Sequence, residues 1–203
     1  MITEIIFDVE TQKLFSEIST NDPADLLISI VSAYIRQVDE FQHEMKGEMK
    51  SFWVTELEGL WPLMTSAKRI IGFNTIKFDV PALSLHAPET FSKMPHLDIM
   101  QSVRSALGHS LSLSKLALHT LGKDKTDVGT NAVEYWKNHD EASLAKLKYY
   151  CEADVLLTKE LYDYGVVNKL LKYMDKFNTI QSFPVDFSYP KDIIDASRQI
   201  GLF

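Results

Sequence analysis

The chain has 203 residues, 45% of them hydrophobic and 11% aromatic, enough for one sizeable core and at the large end for a single domain. A formal net charge of −7 excludes a protein that grips nucleic acid through a broad basic surface, though not one that touches a few phosphates through metal ions. A single cysteine, Cys151, excludes an internal disulfide and fits a reducing compartment. Glu4 and Asp8 sit too near the start for a signal peptide, and no apolar run reaches the ~18 residues a membrane span needs, so the expectation is a soluble, cytoplasmic protein with no membrane partner.

In chain order, Ile2, Ile5, Ile6, Phe7 and Val9 read as a core strand. Residues 11–25 are polar and read as a loop, and Leu26–Val38 is apolar and β-branched enough for a second core strand. Asp39–Lys50 is expected to be a turn or hairpin tip, followed by a short third strand over Ser51–Val54. Thr55 is expected to cap a helix running to about Ala67, with Leu57, Leu60, Trp61 and Met64 as its apolar stripe. Lys68–Asn74 reads as a fourth strand ending at a Gly-Phe-Asn corner, and Asp79 with Pro81 opens a helix to about His86. Pro95–Asp98 is a fifth strand, with Asp98 as N-cap of the helix Ile99–Leu107. Ser112 caps the next helix and Gly122 ends it. A charged loop, Lys123–Gly129, precedes a short helix at Asn131–Asn138 and a long one from about Glu141 to Tyr164. This order predicts an α/β domain, a mixed five-stranded sheet flanked by helices, over residues 1–166. Residues 167–203 carry Asn178, Pro184 and Pro190 among aromatics and read as a helical and irregular extension packed on it.

Some acids do not fit the core pattern. Along the first strand alternate side chains face the same way, so Asp8 and Glu10 project together, with Cα atoms roughly 6.6 Å apart. Two carboxylates side by side at the end of an apolar strand repel each other and resist leaving water, unless both reach solvent or a cation sits between them. The long helix has an apolar stripe of Leu144, Leu147, Cys151, Val155, Thr158 and Leu161, with Tyr150 and Asp154 at its edge and four residues apart on one face. Asp154 at that edge needs a partner, either a neighbouring lysine or a metal ion. In the stretch Gly72-Phe73-Asn74-Thr75-Ile76-Lys77-Phe78-Asp79-Val80-Pro81, helix capping alone would account for Asp79, a turn for Asn74 and the core for Phe78.

Taken together, these residues resemble the three motifs of the DEDDy-type 3′–5′ exonucleases of the ribonuclease-H-like superfamily. The closest likeness is to the proofreading exonuclease domain of family-B DNA polymerases and their stand-alone relatives. Asp8 and Glu10 match the first motif, Asp-x-Glu; Asn74, Phe78 and Asp79 match the second; Tyr150 and Asp154 match the third, in its tyrosine form. The segment Leu97–Gly122 is similar to the stretch between the second and third motifs, and the resemblance covers about residues 1–165.

The resemblance implies a metal-dependent 3′–5′ exonuclease, DNA favoured, that trims single-stranded 3′ ends by two-metal hydrolysis. Mg²⁺ or Mn²⁺ suits carboxylate and water oxygens, and no His or Cys cluster suggests zinc. By analogy Asp8 bridges two divalent cations, Glu10 and Asp154 complete the first, and Asp79 holds the second through water. Tyr150 orients the attacking water, and Asn74 and Phe78 contact the terminal nucleotides, with Lys77 as a candidate phosphate contact. The rival readings are a non-catalytic ribonuclease-H-like module that binds nucleic acid or a protein partner, which would be expected to have lost acids, and an endonuclease of the same fold. Nothing in the sequence supports a protein partner or a homodimer.

Overall fold

Ile2, Ile5, Ile6, Phe7 and Val9 are all buried, and the strand they form, β1 (Ile2–Thr11), is the middle of the sheet. The structure, a computed structural model, describes residues 1–123 and 129–190. On one side β1 pairs antiparallel with β2 (Ile28–Val38), which pairs antiparallel with β3 (Glu44–Trp53). On its other side β1 pairs in parallel with β4 (Arg69–Gly72), and β4 with β5 (His96–Asp98), giving a mixed five-stranded sheet in the order β3-β2-β1-β4-β5.

The alternation of β1 feeds two layers. Ile5, Phe7 and Val9 pack with Val31 and Ile70, and with Leu60 and Met64 from around the short helix α1 (Trp61–Ser66). The short helix α2 (Asp79–Ala82) adds Ala82 to the same layer. Ile6, on the opposite face, packs against α3 (Ile99–Leu107), α4 (Leu113–Leu121) and the long helix α6 (Glu141–Asn168), through side chains such as Val103, Leu116 and Leu161. Each such aliphatic contributes ~1.5–3 kcal/mol by leaving water. Helix α5 (Gly129–Asn138) joins this layer through Ala132, against Leu147, Tyr150 and Cys151 of α6 and Ile30 of β2. Asp8 and Glu10 follow Ile6 on the α6 side of the sheet, and this places the site.

Several expected boundaries move. Residues 44–50, expected in a turn, belong to β3; only 39–43 turn. β3 lies at the edge of the sheet, where exposed charges are tolerated, and backbone pairing with β2 overrides the low strand propensity of Glu44, Lys46, Glu48 and Lys50. The single helix expected over 55–67 divides into a 3-10 turn at Val54–Gly59 and α1, because Pro62 has no N–H to continue the first segment and suits a first helical turn. Thr55 is not its cap: the turn is opened by Trp53, whose N–H donates to Glu56. Helix α2 ends at Ala82 rather than near His86. The caps at Asp98 and Ser112 and the left-handed stop at Gly122 are as expected. The interior of the 123–129 loop and residues 191–203 lie outside the described residues.

Within the stretch read as a helical and irregular extension, the described residues after α6 form a hairpin. Helix α6 stops at Asn168 with Lys169 left-handed, φ 57°, and β6 (Leu170–Met174) pairs antiparallel with β7 (Ile180–Pro184). The turn is set by the Asp175 carboxylate, which accepts the N–H groups of Phe177 and Thr179, and by left-handed Asn178, while Leu171 opposite Phe183 forms the buried pair. The chain then crosses the far end of β1. Arg69 donates to the carbonyls of Phe187 and Ser188, its guanidinium 3.8 Å from the centre of the Tyr189 ring. Glu4, fully buried, accepts from Arg36 at 2.8 Å, Tyr162 at 2.9 Å and Tyr189 at 2.7 Å. Gly165 makes the crossing possible: a Cβ there would stand 2.4 Å from the Phe187 ring.

Candidate active site

Asp8 and Glu10 leave the end of β1 on the face that α6 crosses, and Asp154 on α6 meets them there. One carboxylate oxygen from each of the three lies within 4.8 Å of the others. The helix is held close by Cys151, whose Sγ lies 3.5 Å from the Asp8 carbonyl oxygen. Burial, and then the charges of Asp8 and Glu10, push the Cys151 thiol well above its ordinary value, so it stays protonated and donates. Tyr150, one turn before Asp154 on the same helix face, is hydrogen-bonded to it. Burial raises its phenol, and the charges of Asp154, Glu10 and Asp8 raise it further, so Tyr150 keeps its proton at neutral pH and donates it to the Asp154 carboxylate.

The second wall is the corner after β4. Gly72 is required there because a Cβ would stand 2.1 Å from the Thr75 side chain. Asn74 then turns the chain with φ 68°, in the left-handed region that Asn tolerates better than most residues. The Asp98 carboxylate pins this turn by accepting the N–H groups of Asn74 at 2.7 Å and Ile76 at 3.2 Å, besides capping α3. The corner delivers Asp79 into the protein, only 2% exposed, as the first residue of α2 and not as its N-cap, which is Phe78. Burial, with the charge of Asp98 added, pushes Asp79 up to about 8, while a backbone hydrogen bond from Val9 pulls the other way.

A cleft of about 280 Å³ lies between these walls, and Asp8, Glu10, Asp79, Tyr150, Asp154, Asn74 and Phe78 all line it. Asp79 is outside the three-acid group but on the same cleft. Lys77 is exposed and is not among the lining residues. Leu14 and Phe15, in the stretch read as a polar loop, also line the cleft; the Phe15 ring stands edge-on to Phe78 at 6.1 Å. A lone aromatic in a polar loop was the one signal in the sequence that could have found Phe15. The donor set suits a hard divalent cation: three carboxylates, two of them half-buried and reachable from solvent, with no imidazole or thiolate in the group.

A central strand in a mixed five-stranded sheet, ending in paired acids that face a helix, is the architecture of the ribonuclease-H-like class. The RNase_H superfamily model RNase_H_2 matches residues 5–166, and the chain belongs to that family. Among solved structures, the family B DNA polymerase from the hyperthermophilic archaeon Pyrobaculum calidifontis is similar, with 17% identity and a TM-score of 0.59 over 82% of this chain. The match takes in only 25% of the polymerase, so the chain corresponds to about a quarter of its length. No curated protein matches the sequence. No helix among the described residues is long and apolar enough to cross a membrane.

Proposed function

We propose that the protein is a DEDDy-type 3′–5′ exonuclease that removes nucleotides from single-stranded 3′ ends, DNA favoured, using two Mg²⁺ or Mn²⁺ ions. The observation that carries the proposal is the meeting of Asp8, Glu10 and Asp154 at one spot, from a strand and a helix far apart in the sequence. The family supports the reading, and the fold it shares with a quarter of a polymerase is compatible with it.

Asp8, Glu10 and Asp154 would hold the ions with Asp79 opposite, and when bound the ions supply Lewis acidity and charge neutralisation at the scissile phosphate. The other tasks fall to the chain. Tyr150, kept as a phenol that donates to Asp154, orients the attacking water by accepting from it. Phe78 and Phe15, edge to face across the cleft, offer apolar ring surface to the terminal base, which would be worth ~1–3 kcal/mol per stacked base. The hairpin and the segment after it act as a closing part of the domain, not as a second unit. The test is digestion of a 5′-labelled single-stranded oligonucleotide with Mg²⁺, beside a circular one. The expected result is a ladder shortened from the 3′ end, no attack on the circle, and no digestion by Asp8→Ala of unchanged fold. Cleavage of the circle, or activity surviving in Asp8→Ala, would overturn the proposal.

A further inference from the structure

Helix α3 does more than cap. Its N-cap, Asp98, fixes the backbone of the Asn74 corner, and its second turn carries Arg104, which reaches the Asn74 side chain. Arg104 Nη2 donates to Asn74 Oδ1 at 3.0 Å, and Arg104 Nε donates to Ser110 Oγ at 2.9 Å, just beyond the left-handed Gly108 that ends the helix. The guanidinium is thereby held at two points. A guanidinium has donors and no acceptor, so the atom of Asn74 that faces it must be the carbonyl oxygen. That settles an amide orientation that geometry alone leaves ambiguous. With Oδ1 taken, the NH₂ end has no partner among the described residues, and Asn74 lines the cleft.

We infer that Arg104 is a positioning residue that locks the Asn74 amide with its NH₂ donor toward the cleft, so that the site selects an acceptor oxygen on the terminal nucleotide. The inference rests on the exonuclease reading. The backbone is pinned separately by Asp98, so removing Arg104 releases the side chain without releasing the corner. A freed amide presents its oxygen as readily as its nitrogen, and an oxygen facing an acceptor repels it. The contact is made to bound nucleotide before and during reaction alike, so its loss appears in KM and not in kcat.

The test uses Arg104→Met, which keeps the bulk and removes the donors, Arg104→Lys, which restores a donor-only group, and Asn74→Ala, alone and combined with Arg104→Met. Expected for Arg104→Met is a KM raised about three- to tenfold, the range of one hydrogen bond, with kcat within about twofold. Arg104→Lys should recover most of the loss, and Arg104→Met should add nothing in the Asn74→Ala background. Affinity for a fluorescent single-stranded oligonucleotide, measured in Asp8→Ala protein so that nothing is cleaved, should fall by the same factor. Additive effects of the two substitutions, a fall in kcat with KM unchanged, or unaltered affinity would overturn the role given to Arg104. A wild-type protein that binds the oligonucleotide but never cleaves it would instead overturn the exonuclease reading, and the Arg104 effect on affinity would still decide the inference. Absence of any binding would overturn both.

Discussion

Replacing Asp154 by Asn keeps the shape of the side chain and a group for Tyr150 to bond, while deleting one charge from the cluster. Two like-charge pairs disappear, to Asp8 and to Glu10, with oxygens no more than 4.8 Å away. At an effective permittivity of about 20, each such pair costs about 3.5 kcal/mol at that distance. Water reaches the half-buried Asp8 and Glu10, which screens the repulsion, so the net gain without divalent ions is on the order of 1–2 kcal/mol, or about 2–8 °C in Tm for a chain of this size. Divalent cation reverses the order. At about 100 times its Kd it stabilises the wild type by about 2.7 kcal/mol, roughly 5–11 °C, whereas the variant has lost a ligand and should shift by under about 2 °C. Thermal melts in EDTA and in millimolar Mn²⁺ therefore cross: Asp154→Asn melts higher than wild type in the first and lower in the second. If the wild-type melt ignores Mn²⁺, or the variant melts below wild type in EDTA, the three carboxylates do not form a shared cation site.

Two further outcomes follow from buried acids elsewhere. Asp79, raised from 3.8 to about 8, keeps a proton in the folded protein that the unfolded chain gives up, so its contribution to stability is complete below about pH 4 and is lost as pH rises through about 8. In EDTA the wild-type urea midpoint should fall between pH 5 and 8, and Asp79→Asn should flatten that slope; an equal slope in both proteins would contradict the assignment. At the opposite end of β1, Tyr189→Phe removes one donor from fully buried Glu4 and should cost about 1.5–3 kcal/mol, lowering Tm by roughly 3–12 °C with kcat at 25 °C unchanged. A drop below about 1 °C in calorimetry would mean that the segment after β7 merely lies on the domain.

What was legible in the sequence was local. Ile5 to Val9 announce a buried strand by composition and place Asp8 and Glu10 on one face by period two, and the caps at Asp98 and Ser112 rest on side chains that bond within three residues. β3 was hidden because an edge strand is held by its partner, and its own exposed charges look like those of a turn. The β6–β7 hairpin was hidden because its signal, Leu171 against Phe183, exists only once the two strands meet. The motifs named the residues of the cleft, but they carried no information on depth: that Asp79 is sealed from water while Asp8 and Glu10 are not depends on layers packed by distant helices. Arg104 is silent in the sequence for a related reason, since the residue it holds is thirty positions earlier in the chain.

The outer margin of the sheet bears on how the molecule behaves in a crowd. A ten-residue strand with one side unpaired is a template onto which a strand of another copy could add, and among the described residues β3 is such a strand. Lys46, Glu48 and Lys50, all exposed, set alternating charges along it, and the opposite margin, β5, is only three residues long. Any incoming strand would have to strip water from these charges before a single ladder bond formed. The same three positions filled with valine or threonine would remove that barrier and turn this margin into a seed for strand-to-strand association.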